Sequence, residues 1–236
     1  MGLLADNESL NSALTEFYGT VATRLKFFQQ AQRDVDLYLA TRFSVFDYVD
    51  PDENQLSDII GDLLNPEGKH GQADLFLNLF LSAIDPKLVY LKTPVKVLRE
   101  DPTCYCNSFQ RRIDLTLDFG SFGIGIENKP WANEGIDQLK DYREHLDRKY
   151  RGDFHLVYLS GDGSDPVSLT KGDLESLRSA GRFHKLSYPT EVVRWLESCR
   201  RDCKAQKVQT FLEDLTKYVE DHFETTEEEA GADEAN

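Results

Sequence analysis

Asp114, Glu127 and Lys129 are the residues of this chain best suited by type and spacing to act together chemically. Residues 111–129 read Arg-Arg-Ile-Asp-Leu-Thr-Leu-Asp-Phe-Gly-Ser-Phe-Gly-Ile-Gly-Ile-Glu-Asn-Lys. Two stretches of alternating apolar residues flank Gly120-Ser121, a pair that favours a tight hairpin. If Phe119 pairs with Phe122, counting back along both strands sets Asp114 opposite Glu127, with β-carbons about 4.5 to 5.5 Å apart. Alternation puts Glu127 and Lys129 on one face and turns Asn128 away. Ile113, Leu115, Leu117, Ile124 and Ile126 form the opposite, core-facing side. Two carboxylates and an ammonium converging at the end of a sheet outline a site for a metal ion and a water. The competing reading is a solvated ion pair on an ordinary hairpin.

The acid-x-Lys spacing by itself carries little, because it recurs at Glu67/Lys69, Asp85/Lys87, Asp147/Lys149 and Asp202/Lys204. What sets Glu127/Lys129 apart is its place at the end of an apolar strand that pairs with an aspartate-bearing one.

The surrounding elements follow from periodicity. Apolar residues at Leu10, Leu14, Phe17, Val21, Leu25, Phe28, Val35 and Leu39 predict a long amphipathic helix, or two, between about Ser9 and Thr41. Its apolar stripe either packs on the main domain or forms a dimer or partner contact. Pro51-Asp52-Glu53 opens a helix that runs to Leu64 and stops at Asn65-Pro66-Glu67-Gly68. Glu53 falls on the same stripe as Leu56, Ile60, Leu63 and Leu64, so it faces inward; an acid in a first helical turn also suits the helix dipole. A second helix carries Leu75, Phe76, Leu79 and Phe80, and a strand covers Val95 to Glu100. Beyond the hairpin, Ile136, Leu139, Arg143, Leu146 and Tyr150 define a helix. Phe154–Ser160 reads as a strand, Lys171–Ser179 as a helix and His184–Tyr188 as a strand. Helices from Thr190 to Cys199 and Cys203 to Val219 follow. The order helix, three strands, helix, strand predicts an α/β core with a mixed sheet flanked by helices. The domain plan is an N-terminal helical extension (1–50), a core (51–190), C-terminal helices (191–222) and an acidic, disordered tail (223–236).

The 236 residues carry a net charge of −15. From Glu220 onward there are eight acids and no Lys or Arg, leaving −7 on the rest. That acidity argues against tight, unassisted binding to long duplex DNA. No apolar run approaches the roughly 18 to 20 residues of a membrane span, and the N-terminus lacks a basic-then-apolar secretion signal, so a cytoplasmic location is expected. Cys104-x-Cys106 and Cys199-x-x-x-Cys203 lack the usual zinc spacing and read as reduced thiols.

With its parts in this order, the segment from about Asp52 to Tyr142 resembles the PD-(D/E)XK nuclease superfamily, of restriction-endonuclease-like fold, and within it a prokaryotic nuclease-like group of unassigned substrate. Glu53-Asn54-Gln55-Leu56-Ser57-Asp58-Ile59 is similar to the first core helix of that family. The runs from Leu63 to Gly71 and Asp74 to Leu77 are similar to the segment after it. Arg112-Ile113-Asp114-Leu115 and Ile126-Glu127-Asn128-Lys129 resemble its metal-binding strands, and Gln138-Leu139 with Tyr142 its next helix. Ile113 stands in place of the eponymous proline, and Pro130 where an apolar residue often continues the strand.

The resemblance implies a metal-dependent nuclease that hydrolyses phosphodiester bonds, most readily in DNA, in a defence system or mobile element. Asp114 and Glu127 would hold Mg²⁺ or Mn²⁺, joined by the backbone carbonyl of Asn128 and by Glu53, directly or through water. The metal would activate a water, and Lys129 would orient it. Gln138 and Tyr142, one helical turn apart, share a face toward the water or a phosphate. Trp131 is a candidate to stack on a base, against the alternative of packing, and Arg112 a candidate phosphate contact within a rim of Arg111, Lys140, Arg143, Arg148, Lys149 and Arg151. His70 reads chiefly as part of a turn, and Glu100 is a lesser carboxylate candidate. Two other readings stay open: a non-catalytic binding or assembly module on the same fold, and an RNA-cleaving toxin with the same chemistry.

Overall fold

The computed structural model describes residues 2–41, 43–90, 96–106, 111–131 and 135–224, with side chains from residue 13 onward except that of Tyr90. Val95, the side chain of Leu10 and the acidic tail beyond Glu224 therefore lie outside the described residues. The chain forms two compact units, Met1–Asp47 and Tyr48–Asn236. In the first, α1 is a single helix, Gly2–Leu39, ended where Ala40 takes a left-handed φ of 46°.

In the second unit, β1 (Lys96–Pro102), β2 (Arg112–Asp118), β3 (Gly123–Lys129), β4 (Phe154–Ser160) and β5 (Phe183–Ser187) form one sheet in sequence order. The first three are antiparallel neighbours; β4 and β5 run parallel to β3. This is the mixed α/β sheet expected from the sequence. The hairpin keeps the expected register: Asp118 pairs with Gly123 and Leu115 with Ile126, and Phe119 N–H donates to the Phe122 carbonyl at 3.0 Å.

Helices cover both faces. On one side lies α2 (Glu53–Leu64), whose Gly61 sits so close to the sheet that a β-carbon there would come within 2.8 Å of Leu115. On the other lies α4 (Gln138–Lys149). Here the alternating glycines of Gly123-Ile-Gly125-Ile-Glu127 supply the room: a β-carbon on Gly125 would stand 2.7 Å from Leu146, and one on Gly123 would collide with the Tyr150 ring. The carboxylate-bearing face of the hairpin is therefore not a solvent face, as its alternation with an apolar side implied; Thr116 and Glu127 are as buried as Leu115 and Ile126. Completing this unit are α3 (Leu75–Ile84), α5 (Lys171–Ser179), α6 (Val193–Asp202) and α7 (Gln206–His222). The Trp195 indole of α6 donates to the Phe76 carbonyl of α3 at 3.0 Å.

Local differences from the sequence reading have identifiable causes. Ile136 lies outside α4 and is exposed: Asp137 takes a left-handed φ of 57°, and the Ile136 carbonyl accepts from the Arg111 guanidinium at 2.5 Å. After β5, Tyr188–Val192 forms one wide π-turn before α6, with Glu191 accepting from both the backbone and hydroxyl of Ser187. In β1, Glu100 takes φ 52°. Arg99 and Asp101, which two-residue alternation would place on one face, consequently serve opposite ones. Arg99 pairs with Asp58 of α2 at 2.7 Å, and Asp101 with Lys149 of α4 at 3.0 Å. No described helix is long and apolar enough to cross a membrane.

The close seat of α4 gives a direct test. Gly125→Val should lower the free energy of unfolding by about 1 to 3 kcal/mol through overpacking against Leu146, read as a lower urea midpoint.

Candidate active site

Four element ends meet at one edge of the second unit: the start of α2, the start of β2, the end of β3 and the start of α4. Asp52 fixes the first. It caps α2 by accepting from Gln55 N–H at 2.8 Å, while the Gln55 side chain accepts from Asp52 N–H at 2.9 Å, so the helix begins at Glu53. The β2–β3 ladder ends at the Leu115–Ile126 pair, and just beyond it the Asp114 and Glu127 carboxyls lie close enough to interact. Asp114 reaches over the neighbouring strand to accept from the backbone N–H of Asn128 at 2.8 Å.

Lys129 closes the constellation. Its Nζ lies 2.6 Å from Glu53 Oε1 and 2.9 Å from Glu127 Oε1, tying α2 to β3. From the other side, Gln138 Nε2 donates to Glu127 Oε1 at 2.5 Å and to the Tyr142 hydroxyl at 2.9 Å. Tyr142 OH in turn donates to the Arg112 carbonyl. The structure thus brings together Glu53, Asp114, Glu127, Lys129, Gln138 and Tyr142. Asn128 points away from them, as alternation requires, but its side chain is not idle. Its Nδ2 donates to Ser57 Oγ at 2.9 Å, and its Oδ1 accepts from Tyr188 OH at 2.7 Å. Ser57 Oγ donates to the Glu53 carbonyl at 2.9 Å, so the amide fastens the start of α2 to the strand.

Neither Ser57 nor Tyr188 stood out in the sequence. Ser57 follows Glu53 by four residues, a helical spacing that was available as a signal; Tyr188 is 60 residues from its partner and gave none.

Burial dominates the electrostatics. Desolvation raises the Asp114 pKa, partly opposed by the Asn128 N–H and the Lys129 charge. Glu127 has no exposed surface, and burial followed by the Asp114 charge pushes its pKa well up. Burial acts to lower the Lys129 pKa, but the Glu127 charge and the hydrogen bond that Lys129 donates to Glu53 outweigh it, so the proton is held more tightly than usual. Burial and the neighbouring Glu127 raise the Tyr142 pKa.

Other candidates are placed differently. His70 braces its turn, with Nε2 at 2.9 Å from the Asn65 carbonyl and Nδ1 accepting from Gln72 N–H at 3.0 Å. Glu100 pairs with the exposed Arg112 at 3.2 Å. Tyr142 is 1% exposed, so it supports Gln138 and Glu127 where the sequence suggested a substrate contact. Trp131, just past β3, is half-exposed and stacked on Phe223. Cys104 is exposed and Cys106 half-buried, whereas Cys199 and Cys203 are buried.

A family model of the PD-(D/E)XK nuclease superfamily matches residues 43–220, spanning the whole sheet and the acid/lysine constellation. The chain belongs to the PD-(D/E)XK nuclease superfamily. No curated protein and no solved structure matches it significantly. Members of the superfamily are generally nucleases and typically use divalent metal ions. The residues present fit such an ion in their chemistry. Among the described residues Glu127 Oε2 is buried with no hydrogen-bond partner, beside a second buried carboxyl, and an all-oxygen donor set suits a hard divalent cation. Among the described residues no three acidic, His or Cys side chains stand as a preformed ligand cage; the Lys129 ammonium holds Glu53 and Glu127.

A carboxyl whose pKa is raised by folding binds its proton more tightly in the folded chain, so its ionisation weakens the fold as pH rises above the ordinary carboxylate range. Without divalent ions, Glu127→Gln should therefore be more stable than the wild type at about pH 8, by on the order of 1 to 2 kcal/mol. The difference should shrink as the pH falls toward about 5, which urea unfolding at both pH values measures.

Proposed function

We propose that the protein is a metal-dependent nuclease that hydrolyses phosphodiester bonds, with DNA as its substrate. The observation that carries this reading is the Glu127 carboxylate: buried, held through Oε1 by Lys129 and Gln138, with Oε2 left without a hydrogen bond among the described residues, beside Asp114. A carboxylate is rarely desolvated and left partly unsatisfied without a functional reason.

Asp114 and Glu127 would hold Mg²⁺ or Mn²⁺, with Glu53 and the Asn128 carbonyl as further oxygen donors. Such an ion supplies a water of lowered pKa and offsets charge on the phosphate. The chain's own contribution is positional. Lys129 enters as a compact cation fixed by two carboxylates, able to turn a donor toward an attacking water or a phosphate oxygen. Gln138, anchored by Tyr142, sets the rotamer of Glu127 and keeps one of its oxygens engaged. Asn128, through Ser57 and Tyr188, holds the start of α2 so that Glu53 stays within reach of Lys129.

Labelled single- and double-stranded DNA, incubated with Mg²⁺ or Mn²⁺, should be cleaved by the wild type. Asp114→Ala and Lys129→Ala should each lose about 100-fold or more in rate while keeping a folded circular-dichroism spectrum. Equal rates in all three proteins, or an inactive wild type across both substrates and both metals, would overturn the reading.

A further inference from the structure

Trp131 is the exposed end of a three-ring stack that leads back to the catalytic strand. Its ring packs on Phe223 at a centroid distance of 5.3 Å and 29° between planes, and Phe223 packs on Tyr188 at 4.6 Å and 29°. Tyr188 OH then donates to Asn128, between Glu127 and Lys129. The inner rings are buried, Tyr188 at 1% and Phe223 at 5% exposure, whereas Trp131 is 51% exposed. Among the described residues Phe223 is the ring stacked on Trp131, and about half of the Trp131 surface stays in solvent, open to a ligand. The direction in which the chain leaves β3 is fixed as well: Gly161 N–H donates to the Lys129 carbonyl at 3.0 Å, and Gly161 packs so tightly on the Pro130 carbonyl that no β-carbon fits. Trp131 is two residues past Lys129, so their α-carbons are at most about 7 Å apart.

The charge around the stack selects what can occupy it. Phe223 stands between His222 and Glu224, with Asp221 one residue further back, and no Lys or Arg occurs from Glu220 to Glu224. That flank offers an aromatic face without a cationic track, which suits a neutral base and not a run of phosphates. In an intact duplex the base faces are taken up by neighbouring bases.

We infer that Trp131 is a stacking platform for an unpaired nucleobase beside the reacting phosphate, so that the site takes single-stranded stretches and frayed ends in preference to continuous duplex. The position beside the phosphate rests on the nuclease reading; the stacking itself does not, and it is tested without turnover. The chain has two tryptophans, and Trp195 is buried, so binding at the platform reports through Trp131 emission.

In chelator, with no divalent ion, the full chain is titrated with a single-stranded oligodeoxynucleotide, a fully abasic strand of equal length and a closed-ended hairpin duplex. Expected is quenching by the base-bearing strand alone, absent in Trp131→Phe. Trp131→Ala should bind that strand about tenfold more weakly and the abasic strand unchanged, with Trp131→Phe recovering most of the affinity. Equal affinity for base-bearing and abasic strands, or Trp131→Ala binding single strands as the wild type does, would overturn the platform. A wild type that shows this binding but no cleavage with Mg²⁺ or Mn²⁺ would instead remove the nuclease reading and leave the platform standing.

Discussion

The burial of the Glu127 carboxylate is the constraint around which this unit is arranged. An unpaired charge without solvent is too costly to keep, so each neighbouring element supplies something to it. Lys129 brings a cation from the same strand, and Gln138 a donor from the first residue of α4. Glu53, at the first residue of α2, shares that cation from across the sheet end. Both helices consequently begin where they do for reasons that are electrostatic as well as conformational. Oε2 remains the one oxygen of Glu127 that the described protein leaves unsatisfied, and a PD-(D/E)XK nuclease has chemical use for it.

Precision at such a site depends on how closely the helices approach the sheet. Gly123 and Gly125 let α4 settle onto β3, and Gly61 does the same for α2 on β2. With a glycine on one side of each contact and a single side chain (Leu115, Leu146 or Tyr150) on the other, the positions of Glu53 and Gln138 relative to Glu127 are set by closely seated elements. The Asn128 amide adds a cross-link on the far face, where Ser57 and Tyr188 satisfy it while it is wholly buried.

Much of this was legible in the chain. Gly120-Ser121 and the alternation on either side determine the hairpin register as far as Leu115 and Ile126, and Asp114 and Glu127 are the next residues along each strand. Pro51-Asp52-Glu53 and Gln55 mark the start of α2 through a capping box, which is a local motif. What escaped depends on contacts between distant residues. Periodicity counts Ile136 as helical because it cannot see Arg111 taking its carbonyl. The enclosure of Glu127 was not legible because the meaning of two alternating glycines, space for Leu146 and Tyr150, appears only once α4 is in place. Tyr188 joins the site from the far end of β5, with no sequence feature to announce it.

The left-handed residue in β1 has an effect beyond the helices it serves. Among the described residues β1 pairs with β2 alone, so there it forms a border of the sheet with one row of backbone donors and acceptors unclaimed by a described strand. At Glu100 that row is broken, since a strand cannot keep its ladder through φ 52°. Charged side chains on either side of the break turn to both faces. An incoming chain finds no unbroken template longer than a few residues, so this border resists uncontrolled accretion of further strands.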